Sequence, residues 1–236
     1  MTLSIIIPIF NEEKTVATIL KKVAAVKLQV SKKEIIIVDD GSTDDTKKII
    51  KNLNIKGIKF YSHKKNQGKG SAVITGIKKA TGEYIIIQDG DLEYEPKDIN
   101  KLLKLHKDEN ASVVYGTRLN RLPNFSRDER TIQFFIHYLG NKVLSLVTSV
   151  LYLNWITDME CCYKLFPREA LNDMNLHAKG FEFEPEITAK LLKKGYKIKE
   201  VSISTNPRGH KEGKKLYALR DGYKAITALI KYRFVD

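Results

Sequence analysis

A chain of 236 residues, 42% hydrophobic and 29% charged, can bury a sizeable core and does not have the composition of a disordered protein. Its formal net charge of +13 points to an anionic partner, but the lysines are spread along the whole chain, so charge alone does not choose between phosphorylated small molecules, anionic lipid and nucleic acid. Cys161 and Cys162 are adjacent and offer neither disulfide nor zinc spacing, so a reducing cytoplasm is the expected setting.

Ser4-Ile5-Ile6-Ile7-Pro8 reads as an apolar strand ended by proline. Asn11 is the expected N-cap of a helix to about Val26, with Glu12 and Glu13 in its first turn and Val16, Ile19, Leu20 and Val23 on one face. Glu34 to Asp40 is a second buried strand ending in two acids. Gly41-Ser42-Thr43-Asp44 then turns the chain into a helix through about Leu53. A short strand spans Gly57 to Tyr61, and Asn66-Gln67-Gly68-Lys69-Gly70 opens a helix that Thr81-Gly82 stops. Next comes Ile85-Ile86-Ile87, a run that stops at Gln88-Asp89-Gly90-Asp91-Leu92-Glu93.

These elements alternate strand and helix with short connections, which predicts a mostly parallel α/β sheet flanked by helices. A further helix is expected from Pro96 to about His106, and a strand from Ser112 to Thr117, ending at Arg118. Arg121 to Glu129 reads as a polar loop, and Ile132 to Leu153 as one long or two shorter helices. Thr157 to Tyr163 is a turn carrying Asp158 and Glu160. A helix from Phe181 to Lys194, a strand from Ile198 to Ser204, a basic loop from Asn206 to Lys215 and a helix from Leu216 to Arg233 complete the chain. No linker marks a boundary, so residues 1–236 are expected to form a single domain.

Carboxylates do not continue inside a dry sheet unpaired, so the central strand should end at Asp89 and present its acids at the carboxyl edge. Closely spaced carboxylates suit a hard divalent cation such as Mg²⁺ or Mn²⁺. Asp39-Asp40 should lie on the same edge. Together the two acidic strand ends describe a crevice that recognises a base or ribose at one and a metal-bound diphosphate at the other. Gly68 and Gly70 lack the third glycine of a dinucleotide loop, and no phosphate-loop motif is present, which argues against hydride transfer and against a phosphate-loop NTPase.

The stretches Ser4 to Glu13, Val38 to Asp44, Asn66 to Gly70 and Gln88 to Tyr94 resemble family 2 glycosyltransferases of the GT-A fold. Together with Gly116-Thr117-Arg118, Thr157 to Lys164, Gly180 to Glu186 and Glu212 to Lys215, the chain looks like the polyprenyl (dolichyl) phosphate mannosyl- and glucosyltransferases. The resemblance implies transfer, with inversion of the anomer, of a hexose from a GDP- or UDP-linked sugar to a polyprenyl phosphate. It implies that Pro8, Phe10, Glu12, Val38, Asp40, Lys69, Asp89, Gly90 and Asp91 bind the donor, with Arg208 and Lys214 in a loop closing over it. Asp89, Asp91 and Glu93 would hold the metal, while Arg118, Arg127, Arg130 and Lys164 would meet the acceptor phosphate. Asp158 matches the acid named as catalytic base, with Asp91 as its catalytic companion at the metal.

The chain departs from the pattern at Cys161-Cys162, where relatives often have serine or threonine followed by glycine. A lipid monophosphate is largely dianionic near neutral pH, its second pKa being about 6, so Asp158 would then orient the acceptor or its basic partners; a hydroxyl acceptor would require a base. Transfer to a saccharide hydroxyl, or sugar-nucleotide binding without turnover, are the alternative readings. A nucleic-acid partner is not expected.

The bland readings are that Asp39 caps a turn, Arg118 pairs with a structural acid, the cysteines pack, and Glu182, Glu184 and Glu186 favour a helix N-terminus. The longest uncharged run, Val143 to Thr157, is shorter than the roughly 20 residues of a membrane span. No signal peptide is expected at the N-terminus. The expected location is therefore cytoplasmic and peripheral at the cytoplasmic membrane face, through the apolar stretches Phe134 to Val150 and Leu216 to Ile230 or through a membrane partner protein.

Overall fold

The structure, a computed structural model, describes residues 1–119, 132–206 and 218–235. The isoleucine runs form its centre. Strand β1 (Thr2–Ile9) pairs in parallel with β2 (Lys32–Asp39) on one side and with β4 (Tyr84–Ile87) on the other. Ile5, Ile6, Ile7, Ile36, Ile37, Ile86 and Ile87 are fully buried, as continuous apolar runs require in a sheet covered on both faces. β3 (Ile58–Ser62) extends the sheet beyond β2.

On the other side β6 (Lys164–Pro167) runs antiparallel between β4 and β5 (Val113–Thr117), and β7 (Ile198–Ser202) pairs with β5. Among the described residues the sheet order is β3-β2-β1-β4-β6-β5-β7. Because β6 opposes both neighbours, β4 and β5 point the same way. Their carboxyl ends, carrying Asp89 and Arg118, reach the same edge with one strand between them.

The flanking helices are α1 (Val16–Ala25), α2 (Thr46–Asn52), α3 (Lys69–Lys79), α4 (Ile99–Glu109), α5 (Ile132–Tyr152), α6 (Phe183–Lys193) and α7 (Ala218–Phe234). Val16, Ile19, Leu20 and Val23 are the buried face of α1, as their spacing predicts. The expected cap at Asn11 is corrected. Asn11 has φ +50° and its side-chain oxygen accepts from Thr43 N at 2.8 Å, so it ties two loops together, and the helix starts at Val16. α5 is one continuous helix of 21 residues. It packs on α7, where Tyr152 Oη donates to Leu229 O (2.8 Å) and Arg233 Nε donates to Leu151 O (3.0 Å). Sequence reading missed β6, which is only four residues long and opens on a lysine.

One glycine marks how closely α3 lies on the sheet. A Cβ at Gly76 would overlap Ile6 Cγ2, whereas a Cβ at Gly140 of α5 would meet open space. Gly76→Ala should therefore lower unfolding free energy by about 1–3 kcal/mol through overpacking. Gly140→Ala should raise it by about 0.5–1 kcal/mol through helix propensity alone. Urea denaturation of the two variants measures both, and equal effects would contradict this packing.

Candidate active site

The carboxyl edge of the sheet opens into a cleft of about 1020 Å³. Pro8 near the end of β1, Phe10 and Glu12 after it, Asp40 after β2, Lys69 at the start of α3, and Asp89, Gly90, Asp91 and Glu93 after β4 all line it. Val38 does not. It is a fully buried core residue of β2, so the expectation that it lines a nucleotide pocket is corrected.

Asp40 is buried, and its carboxylate is heavily engaged. It accepts from Gln67 N (3.0 Å) and Gly68 N (2.7 Å), and His63 Nδ1 lies 2.7 Å from its Oδ1. His63 Nε2 reaches Thr75 Oγ1 at 2.9 Å, so this acid organises the turn into α3. The local chain requires that turn to be glycine: Gly68 has φ +98°, and a Cβ there would overlap the Lys179 carbonyl. Asp39 acts as the bland reading has it, accepting from Ser42 N (3.2 Å) and Ser62 Oγ (2.9 Å).

Beneath the cleft runs a row of alternating charges. Lys69 Nζ lies 2.9 Å from Asp89 Oδ1 and 3.4 Å from Glu184 Oε1, and Lys164 Nζ lies 2.5 Å from Glu184 Oε2. Burial opposes charge on Lys69 and on Asp89, but their mutual attraction outweighs it. The ammonium is held well above its usual range and the carboxyl below its own.

This pairing bears on the acids expected to hold a metal. Asp89 is committed to Lys69, and among the described residues no three His, Cys, Asp or Glu side chains are gathered around an ion site. The three-carboxylate set Asp89, Asp91 and Glu93 is therefore corrected. Asp91 and Glu93 still stand on the cleft wall, in a turn where Asp91 Oδ1 accepts from Glu93 N at 3.1 Å and Leu92 has φ +64°. Mg²⁺ keeps several waters and takes only one or two protein carboxylates when a substrate phosphate completes its shell, so this pair fits such an ion.

At the end of β5, Arg118 lines the cleft and is locked by Asp158. Its Nε donates to Oδ2 and its Nη2 to Oδ1, both at 2.7 Å, and its backbone N donates to Oδ2 at 2.8 Å. Burial opposes the guanidinium charge, yet Asp158 outweighs it and raises the Arg118 pKa well above normal. Asp158 is fully buried with both oxygens bonded to Arg118, which corrects the expectation of a catalytic base exposed to substrate. Thr157 N and Asp158 N in turn donate to Glu200, at 2.8 and 3.0 Å.

Lys164 is corrected as well. Its side chain is 0% exposed, and besides Glu184 its Nζ donates to the carbonyls of Met159 and Cys161, so it does not meet a ligand. Arg127, Arg130, Arg208 and Lys214 lie outside the described residues. Cys161 and Cys162 are buried. Burial, with Asp158 adding to it, pushes the Cys161 thiol up to about 12, and burial raises Cys162 too, so both are inert packing thiols.

Sequence reading gave no role to Glu160. It lines the cleft, and its Oε1 is buried without a hydrogen-bond partner among the described residues. Burial first, then the nearby Glu184, raises its carboxyl to about 7 against the pull of Lys164 and Arg118. Opposite the sheet edge the cleft is walled by α5 and α7 through Phe135, Ile136, Leu139, Val143 and Tyr223, all of them exposed.

The charge row gives a stability prediction. Lys164→Met leaves the buried Glu184 only its longer contact with Lys69 and should lower unfolding free energy by about 3–5 kcal/mol. Adding Glu184→Gln should recover part of that loss. Chemical denaturation of the single and double variants measures the coupling, and strictly additive losses would contradict the pairing.

The glycosyl transferase family 2 profile matches residues 4–174. An uncharacterized protein of Methanocaldococcus jannaschii is 32% identical over 98% of this chain and 99% of its own length. The dodecaprenyl-phosphate galacturonate synthase of Rhizobium johnstonii is 26% identical over 99% of this chain and 67% of its own. Among solved structures, glucosyl-3-phosphoglycerate synthase from Mycobacterium tuberculosis, in complex with Mn²⁺, UDP and phosphoglyceric acid, matches with a TM-score of 0.72 at 20% identity. That match covers 100% of this chain and 79% of the other, and it establishes the fold as GT-A. The chain belongs to glycosyl transferase family 2 and is a glycosyltransferase.

Proposed function

We propose that this enzyme transfers a hexose from a nucleoside diphosphate sugar to a polyprenyl phosphate, with a divalent metal and inversion at the anomeric carbon. The observation that carries this reading is the guanidinium of Arg118, fixed in the cleft by a fully buried Asp158 and adjoining an apolar helical wall. A planar, permanently charged fork suits a phosphate, and exposed Phe135, Ile136 and Leu139 suit the isoprenoid chain attached to it. The Rhizobium relative, whose name specifies a dodecaprenyl phosphate, supports the same acceptor class.

In this reading Pro8, Phe10, Glu12 and the turn held by Asp40 receive the nucleoside, and Lys69 and Gly90 flank the diphosphate. Asp91 and Glu93 would hold Mg²⁺ or Mn²⁺, which supplies the charge that stabilises a leaving diphosphate. The M. tuberculosis complexes with Mn²⁺ or Mg²⁺ and UDP support that assignment on the shared fold. Arg118 orients a phosphate oxygen toward the anomeric carbon. A dianionic phosphate needs no deprotonation, its second pKa being about 6, so a buried Asp158 that only positions Arg118 is sufficient. A neutral hydroxyl acceptor would need a base, and Asp158 is committed elsewhere.

A panel of UDP- and GDP-sugars with polyprenyl phosphate, polyprenyl alcohol and phosphoglycerate, read by mass spectrometry, tests this function. Glycosylation of the lipid phosphate is expected, with loss of turnover in EDTA and at least a hundredfold loss in Asp91→Ala. Comparable rates on the alcohol or on phosphoglycerate would overturn the acceptor, and full activity in EDTA would overturn the metal.

A lipid acceptor stays in the bilayer, so the enzyme must reach the surface. Among the described residues no helix is long and apolar enough to cross a membrane. Leu146 and Val150 continue the exposed face of α5, and Leu153 (92% exposed) and Trp155 (74%) follow it. This supports peripheral attachment at the cytoplasmic face, assisted by net charge at about 1 kcal/mol per basic residue near an anionic surface. Flotation with anionic liposomes should show binding that weakens as salt rises. No binding at low salt would point instead to a membrane partner protein.

A further inference from the structure

Glu160 lines the cleft, has no part in the proposed reaction, and has a buried oxygen without a hydrogen bond among the described residues; the other such oxygen, Glu184 Oε1, has the Lys69 ammonium 3.4 Å away. The Glu160 oxygen is Oε1, buried with no hydrogen-bond partner among the described residues, while the rest of the turn is tied down. Asp158 on one side grips Arg118, and Lys164 holds the carbonyls of Met159 and Cys161. A buried polar atom left unbonded costs about 1–3 kcal/mol, and a position lining a ligand cleft is where such a cost has a use. The groups that face it are Glu184 from α6, Lys164 from β6, Arg118 from the end of β5 and Asp158 from its own turn. The two acids disfavour its charge and the two bases favour it, but burial is the largest influence and brings its titration up to about 7.

We propose that Glu160 is a further acceptor-binding residue: its carboxyl, in the protonated form, donates a hydrogen bond to the anionic group that Arg118 holds, so that acceptor binding draws a proton from solvent onto the fraction of Glu160 that is ionised. This rests on the reading of an anionic acceptor given above. An incoming dianion beside Glu160 disfavours the carboxylate further, so the bound complex favours the acid form, and a neutral carboxyl supplies the donor that an anion needs. A deprotonated Glu160 would instead repel the same anion. Affinity contributed by this residue is therefore full below its titration and is lost as pH rises through about 7. Glutamine is nearly isosteric, keeps a donor and cannot ionise.

The test uses geranyl phosphate as probe with the whole protein and no donor. Calorimetric titrations at pH 8, where the probe is already dianionic, in two buffers of different ionisation enthalpy count the protons exchanged. Wild type should show net proton uptake, and Glu160→Gln none. Across pH 6 to 8 the ratio of Glu160→Gln affinity to wild-type affinity should rise roughly fivefold, as expected for a carboxyl whose pKa climbs by about one unit on binding. The ratio cancels the titration of the probe itself. Binding by both proteins with no proton uptake and a flat ratio would overturn the role of Glu160 while leaving the acceptor reading intact. Absence of binding by both would overturn the acceptor reading and this proposal together. If the variant fails to fold, proton uptake by the wild type decides alone, and its absence refutes the proposal.

Discussion

Four alternating charges, Asp89, Lys69, Glu184 and Lys164, lie under the cleft, and the geometry above depends on their remaining paired. A buried charge without a partner is costly, so each member fixes the next. The row joins the end of β4 to the start of α3, to α6 and to β6. At its inner end Lys164 sits 4.8 Å from the centre of the Tyr115 ring and donates to the carbonyls of Met159 and Cys161. That fixes the turn from which Asp158 reaches Arg118 and from which Glu160 faces the cleft. Removing one charge therefore disturbs both ends of the site. Such a floor is poor in stabilising energy relative to an apolar one, and its value here lies in fixing positions.

The cleft above this floor is electrostatically divided. Its β4 end carries Asp91 and Glu93, and its β5 end carries Arg118. An ion-bound diphosphate matches the first and a bare phosphate the second. The sheet topology makes this possible, because antiparallel β6 separates two strands whose carboxyl ends share an edge. The distance between the two charge types is thus set by strand spacing and not by flexible side chains.

Much of the fold was legible because the isoleucine runs and the helical stripe of α1 are local patterns that the core obeys directly. β6 was not legible. Its four residues show no alternation, and Lys164 at its start is buried only because Glu184, twenty residues later, meets it. The same non-local pairing explains the errors at the site. A lysine and an aspartate that look like ligand-binding groups in the sequence, Lys164 and Asp158, spend their charge on internal partners. Asn11 looked like a cap because its type fits one, but its side chain spans to Thr43. Glu160 stood in a stretch already singled out, yet nothing local distinguishes a satisfied glutamate from an orphaned one. Only the packed turn shows its bare oxygen.

The central claim is that the new bond joins the anomeric carbon to a phosphate oxygen of the acceptor, an oxygen presented by Arg118. ³¹P NMR of the acceptor during turnover reads that bond directly. The account predicts that the monoester resonance of the lipid phosphate is replaced by a diester resonance as donor is consumed. Donor consumption with sugar attached to the lipid while the monoester resonance persists would place the new bond on another atom and contradict it.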